Sequence, residues 1–233
     1  NMKEAVEKLL PFERDLFFAL NGSDSLFLDN VMWMLSGRLV WIPLFLFIIF
    51  LFFHKTNWKD GLLVTLFFIL LFAACDQLAS SFFKPLFERF RPTHHPDFKE
   101  LVDIVNGYRG GRFGFISSHA TNSFGLAVFL SLLFRYRRTT IVVLLWALLN
   151  SYTRIYLGVH FVSDILAGMI AGSVLGYLFY ELLRLTRSFL LHLPESKNIP
   201  LYSRPHAHLL SIFIPSYLLV LIIFSSFLAT LPH

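Results

Sequence analysis

Six apolar stretches, each near the roughly 20 residues that cross a bilayer core as a helix, leave this chain few ways to fold. They run Val31–Phe53, Gly61–Phe83, Ser117–Phe134, Thr139–Tyr156, Phe161–Leu183 and Leu209–Leu231. In lipid, every backbone N–H and C=O must be satisfied inside the protein, so runs of this kind become helices. The expected fold is all-α: a polytopic membrane bundle of about six transmembrane helices. The third and fourth runs are short and are admitted because the others frame them, and Pro215 is expected to kink the last. Hydrophobic residues make up 56% of the chain, against about 45–50% in soluble domains, and charged residues 15%, against about 25%. One domain is expected over residues 1–233, with no room for a second, soluble one.

The stretch Met2–Asn21 mixes Lys, Glu and Arg with Leu9, Leu10, Phe12, Leu16, Phe17 and Phe18. That pattern suits a helix lying in the membrane interface, and it also suits an ordinary packed terminal helix. Two connections are long: Lys84–Ile116, rich in Arg, His, Pro and Gly, and Arg184–His208, which carries Pro194, Pro200 and Pro205. With six spans, Lys55, Lys59, Arg135, Arg137, Arg138, Arg184, Arg187, Lys197 and Arg204 gather on one side. Cytoplasmic loops hold the excess of Lys and Arg, so that side is expected to be cytoplasmic. The loop Lys84–Ile116, Arg154 and both termini then face away from it. The net charge of +5 reads as loop topology and attraction to anionic headgroups, with no nucleic-acid partner. The lone Cys75 excludes an intrachain disulfide.

Against this background the ionisable residues at membrane depth stand out, because they are costly there and usually functional. Arg154, His160 and Asp164 interrupt an apolar region from Ile141 to Leu183. His160 and Asp164 are four apart, so on a helix they share a face and the carboxylate can hold the imidazole. Alone, that pair reads better as a satisfied structural contact. Lys84 and Arg91, in the string Lys84-Pro85-Leu86-Phe87-Glu88-Arg89-Phe90-Arg91-Pro92, alone read as snorkelling interfacial cations. His119 ends Gly114-Phe115-Ile116-Ser117-Ser118-His119, where the third run begins. Six spans put all of these on one membrane face. Two arginines and a lysine exceed the acids beside them, which suits a tetrahedral oxyanion. A helix N-terminus near Ser117 would add backbone donors.

These three strings together resemble the signature of the type-2 phosphatidic-acid phosphatase and vanadium haloperoxidase superfamily, in its bacterial integral-membrane branch. The signature is Lys-x6-Arg-Pro, then Pro-Ser-Gly-His, then Ser-Arg-x5-His-x3-Asp. The first matches at Lys84, Arg91 and Pro92. The second matches at Ser117 and His119, with Ile116 and Ser118 replacing Pro and Gly. The third matches at Arg154, His160 and Asp164, with Thr153 replacing Ser. The resemblance covers about residues 31–183 and leaves the last span outside.

The resemblance implies a metal-independent lipid phosphatase that works without a cofactor. His160 would be the nucleophile that becomes phosphohistidine, Asp164 would orient it, and His119 would protonate the leaving oxygen. Lys84, Arg91, Arg154, Ser117 and the amide of Ser118 would hold the phosphate. The site would face the periplasm from a bacterial inner membrane, and the partner would be a lipid phosphate entering from the bilayer. Undecaprenyl diphosphate is the first substrate expected; phosphatidylglycerol phosphate, phosphatidic acid and a lipid A phosphate are the others. A lipid phosphotransferase of the same fold, or a lipid-binding or transport protein with a dead site, would carry the same strings. Four sets of polar residues stay outside the motifs. His94 and His95 lack metal-ligand spacing. Arg109 and Arg112 are expected at headgroups or solvent. Arg38 interrupts the first run and is expected to snorkel rather than to reach toward substrate, both being open, and Asp76 sits within the second as a packing or a functional residue.

Overall fold

The computed structural model describes residues 2–191 and 200–230. Pro194, Lys197 and Leu231, the end of the sixth expected run, lie outside them. Among the described residues the regular elements are helices, and two short N-terminal ones, α1 (Met2–Glu7) and α2 (Leu10–Leu20), come first. Pro11 at the start of α2 fits its place, since its missing N–H would be unsatisfied there anyway. One face of α1 and α2 buries Val6, Glu13 and Phe17, while Phe12 and Leu16 point outward.

The first expected span is broken. Helices α3 (Leu26–Ser36) and α4 (Ile42–Phe53) are joined through a short turn, Leu39–Trp41, and bend by 73°. Gly37 leaves the helical region at ψ 153°, and Pro43 in the first turn of α4 has no N–H to continue the earlier ladder. The Trp41 indole closes the corner by donating to the Leu35 carbonyl at 3.0 Å. Gly37 and Arg38 therefore sit in a bend at membrane depth, and both border the central cavity.

The second span is a rod of 30 residues, Trp58–Phe87. It comprises α5 (Trp58–Gln77), a π-helical turn (Leu78–Phe83) and α6 (Lys84–Phe87). A π turn rotates the residues after it relative to an unbroken α-helix, and the first residue so re-aimed is Lys84. After the long loop come α7 (Ser118–Phe134), α8 (Arg137–Tyr156) and α9 (Val162–Leu191). Helix α10 (Arg204–Ile223) continues through Pro215, and the short α11 (Ser225–Leu228) comes after it. Three segments, Trp58–Phe87, Val162–Leu191 and Arg204–Ile223, are long and apolar enough to cross a membrane, and the bent pair α3–α4 makes a fourth. The expected count of six depends on α7 and α8. Helix α7 has 17 residues, and α8 carries Arg137, Arg138 and Arg154.

Helix α7 is the centre of the bundle, and α9 lies against it most closely. Gly168, Gly172 and Gly176 of α9 face Ser117, Thr121 and Gly125 of α7. A Cβ at Gly172 would collide with the Thr121 carbonyl, and one at Gly125 would reach Cys75 Sγ at 2.7 Å. Small residues at such a seam let backbones approach and supply the contact that lipid cannot drive. This close pair matters for chemistry, because α7 and α9 begin at the same end with His119 and Asp164.

Candidate active site

Five segments converge at that end. Lys84 arrives at the end of the π turn. Arg91 is held by an extended stretch: Arg91 N–H donates to the Arg112 carbonyl at 3.1 Å and Gly114 N–H to the Arg89 carbonyl at 2.9 Å. The N-terminus of α7 brings Ser118 and His119, the C-terminal turn of α8 brings Arg154, and the turn between α8 and α9 brings His160. Gly158 in that turn has φ +72°, a backbone state open to Gly without strain. Lys84, Arg91, Ser118, His119, Arg154 and His160 all line one cavity of about 310 Å³.

The protonation pattern of His160 is set by its neighbours. Asp164 Oδ2 lies 3.3 Å from Nδ1, and a carboxylate accepts, so Nδ1 carries the proton. Arg91 Nη1 lies 3.2 Å from Nε2, and a guanidinium only donates, so Nε2 presents its lone pair. Burial, then the positive charges of Arg91, Arg154 and Lys84, hold the imidazole well below its ordinary value of 6.5. His160 is thus neutral near pH 7, with a nucleophilic nitrogen facing cations. Gly114 packs on the pair: a Cβ there would meet Asp164 Oδ2 at 3.0 Å and His160 Nδ1 at 3.5 Å.

His119 Nε2 is 3.2 Å from the Ser36 carbonyl. A carbonyl only accepts, so Nε2 donates and Nδ1 is left to gain and lose a proton. Arg154 donates to Tyr108 Oη at 3.0 Å and, through its other amino group, to Ser36 Oγ. Lys84 donates to Ser118 Oγ at 2.6 Å. The side chain that replaces the signature's Gly is therefore a partner of the lysine. Ser117 stands behind the cavity wall: it is fully buried, and its hydroxyl caps α7 by accepting from Ala120 N–H at 3.3 Å. In this geometry the hydroxyl holds the start of α7, with its own O–H still able to donate.

Among the described residues, no carboxylate lies within 4.0 Å of the Lys84, Arg91 or Arg154 charges. Burial and the nearby Arg154 pull the Arg91 guanidinium down to about 10, still protonated near neutrality. Two buried guanidiniums and a half-buried ammonium without a paired anion are unfavourable in a closed protein and suit a site that takes a phosphate.

Two residues with a bearing on the site escaped sequence reasoning. Arg89 is fully buried and donates to Asp164 Oδ1 at 2.8 Å, to Ser163 Oγ at 2.6 Å and to Glu13 Oε1 at 2.6 Å. Burial alone would lower its pKa, but Asp164 and Glu13 outweigh that and raise it. The signal was its spacing: in an extended segment residues two apart point the same way, so Arg89 accompanies Arg91 to the His160–Asp164 pair. Glu13 had no local signal, because its partners lie 76 and 150 residues away. The other polar residues divide. Arg38 and Asp76 line the cavity, Arg38 at an exposed point of the bend. Arg109 donates to the Thr93 carbonyl, and Arg112 lies over Phe90 and Phe113. His95 stacks on Phe98, with ring centroids 4.1 Å apart.

The sequence compares with known proteins over this same region. It is 42% identical over 183 residues to the lipid A 4′-phosphatase of Porphyromonas gingivalis, covering 78% of each chain. It is 43% identical over 176 residues to the lipid A 4′-phosphatase of Bacteroides thetaiotaomicron, covering 75% of this chain and 78% of that one. The fold superposes with a TM-score of 0.56 on the crystal structure of a transmembrane phosphatidylglycerolphosphate phosphatase from Bacillus subtilis. That pair is 26% identical and covers 78% of this chain and 90% of the other. A model of the PAP2 superfamily matches residues 62–187, the span that holds all three motif strings. Sequence, bundle and the convergence of those strings on one cavity agree: the chain is a membrane-embedded lipid phosphatase of bacterial type and belongs to the PAP2 superfamily.

Proposed function

We propose that this protein hydrolyses the phosphate monoester of an acylated aminosugar lipid of the lipid A kind. The observation that carries the chemistry is the neutral His160 Nε2, held 3.2 Å from Arg91 in a cavity where, among the described residues, no carboxylate lies within 4.0 Å of the Lys84, Arg91 or Arg154 charges. The choice of lipid rests on the two relatives above, both named for lipid A. Undecaprenyl diphosphate, the first expectation, gives way, since neither relative is named for it.

In the first step His160 Nε2 attacks phosphorus. The N–P bond forms, the bond from phosphorus to the sugar oxygen breaks, and His119 gives its Nδ1 proton to that oxygen. Asp164 retains its hold on Nδ1–H and stabilises the charge that develops on the ring. Lys84, Arg91 and Arg154 neutralise the phosphoryl oxygens, which carry most charge in the transition state. In the second step water attacks phosphorus and gives a proton to His119, and the N–P bond breaks to release inorganic phosphate. Placed by the excess of Lys and Arg on the opposite loops, the site opens to the periplasm from the inner membrane.

The test is phosphate release from lipid A 4′-phosphate, phosphatidylglycerol phosphate, phosphatidic acid and undecaprenyl diphosphate by purified protein in detergent. The aminosugar lipid should give the highest kcat/KM, and His160→Ala should abolish turnover of all four. Preference for a glycerol or prenyl lipid overturns the substrate, and wild-type turnover by His160→Ala overturns the mechanism. In intact cells, a membrane-impermeant maleimide should label a Cys introduced at the exposed Asn106. Labelling only after lysis reverses the orientation.

A further inference from the structure

The cavity does not end at the cations. Along α8 it runs from Arg154 past Asn150 to Trp146, about 6 Å and about 12 Å deeper at 1.5 Å per residue. Along α7 it runs from His119 past Asn122 and Ser123, and along α5 it reaches Asp76. At its far end the lining turns apolar, with Phe45, Phe72 and Leu126. A polar belt therefore lies between the phosphate cluster and an apolar floor.

The belt is unsatisfied. Asn150 is 6% exposed and Trp146 4%, yet among the described residues no protein group reaches Asn150 Oδ1, Trp146 Nε1 or Asn122 Oδ1. Asn150 is not loosely placed, because its Nδ2 donates to Ser123 Oγ at 2.6 Å. The Trp146 ring is likewise fixed edge-on to Trp41, with centroids 5.6 Å apart. Buried polar atoms are nearly always hydrogen-bonded, and leaving one without a partner is costly. Rigid, orphaned donors and acceptors bordering a catalytic cavity indicate a ligand that completes them.

Resting on the lipid A reading, we infer that Asp76, Asn122, Asn150 and Trp146 form the subsite for the body of the leaving group, and that this body bears hydroxyl or amide N–H groups. The chemistry of the belt selects the class. Asn122 Oδ1, Asn150 Oδ1 and the Asp76 carboxylate need donors, and Trp146 Nε1 needs an acceptor. An N-acylated aminosugar supplies O–H and N–H donors and a carbonyl acceptor. The diacylglycerol of phosphatidic acid offers ester oxygens, which only accept, phosphatidylglycerol phosphate adds a single free hydroxyl, and a prenyl chain offers neither. The belt thus favours the aminosugar lipid by leaving its own buried groups unpaired against the others, a stronger discrimination than apolar contact gives.

The experiment compares Asn122→Ala and Trp146→Phe with wild type, using lipid A 4′-phosphate and p-nitrophenyl phosphate. The aryl ester has no donor beyond its phosphate. Trp146→Phe keeps an aromatic ring and removes the N–H together with part of the indole, a packing loss that the aryl-ester rate and the thermal midpoint register separately. Each variant should lose roughly tenfold in kcat/KM on the aminosugar lipid, the size of one hydrogen bond, and less than about twofold on the aryl ester. Thermal unfolding midpoints of both variants are measured alongside. Equal losses on both substrates, or no loss on either, overturn the subsite. Failure of wild type to hydrolyse the aminosugar lipid overturns the underlying function instead, and the subsite with it.

Discussion

Arg89 donates to the Asp164 carboxylate at 2.8 Å with both side chains fully buried. On its other side the same guanidinium meets Glu13 at 2.6 Å. Asp164 in turn faces His160, so a chain of charges runs from the N-terminal helix to the nucleophile. Glu13 also accepts from Ser163 N–H at 2.7 Å, which ties α2 to the first turn of α9.

Removing Arg89 leaves a buried carboxylate without its main partner. Arg89→Ala should cost about 3–5 kcal/mol of stability, the usual penalty for breaking a buried pair from one side. Glu13→Gln is the finer probe, since it removes the charge and retains a hydrogen-bonding side chain. It should lower kcat about tenfold at unchanged KM, by loosening Arg89 and through it Asp164. Phosphohistidine formation, measured by rapid quench and mass spectrometry, should slow by the same factor. A change confined to the melting temperature would show that Glu13 only holds the fold together.

Gly172 tests the seam on which the site depends. A methyl group there collides with the Thr121 carbonyl, and backbone on both sides leaves little room to relax. Gly172→Ala should destabilise the protein by about 1–3 kcal/mol, in the range of overpacked interiors. Because α7 carries His119 and α9 carries Asp164, the loss should appear in kcat as well as in the thermal midpoint. Val174, on α9 and exposed, provides the control: Val174→Ala should change neither.

Much of this was legible in the sequence, for identifiable reasons. Apolar runs can be seen because lipid forbids anything but a helix, and four of them correspond closely to α7, α8, α9 and the rod Trp58–Phe87. The corner at Gly37 was not seen, since Trp41, Leu44 and Ile48 keep the hydropathy high straight through it. From the sequence Arg38 either snorkels or reaches toward substrate, and the bend puts it at the cavity. Lys84, Arg91, His119, Arg154, His160 and Asp164 could be singled out because spacing along short strings survives in one dimension. Glu13 and the Asn150–Ser123 pair could not, since they arise where distant helices meet. Ser117 caps α7 from behind the cavity wall, a role that spacing along a string does not separate from holding a ligand.

The acidic limb of activity should report on His160. Its lowered pKa keeps Nε2 unprotonated below pH 6.5, so the nucleophile is lost only as pH falls through that lower value. Phosphohistidine formation measured at subsaturating substrate, which reports the free enzyme's groups, should therefore hold from pH 7 through 6.5 and decline only as the pH nears that lower value. Stability carries the same sign. In the window between 6.5 and the lowered value the unfolded chain binds a proton that the folded chain refuses, so stability is full above 6.5 and falls with falling pH. The slope contributed by this one group approaches about 1.36 kcal/mol per pH unit at most. His160→Gln should remove that contribution from a series of unfolding curves.

His119 should matter in proportion to how poor the leaving group is. A sugar alkoxide is a strong base and needs its proton as the P–O bond breaks, whereas a p-nitrophenolate departs without one. His119→Gln keeps a side-chain amide able to donate to the Ser36 carbonyl, now 3.2 Å from the ring's Nε2, and removes the titrating Nδ1. Its kcat on lipid A 4′-phosphate should fall by about 10²–10⁴, the range of general acid catalysis, with a much smaller loss on p-nitrophenyl phosphate. His160→Ala should abolish both reactions equally, because the nucleophile serves every leaving group. Equal losses on the two substrates for His119→Gln would show that this ring binds phosphate instead, and that the proton comes from elsewhere in the cavity.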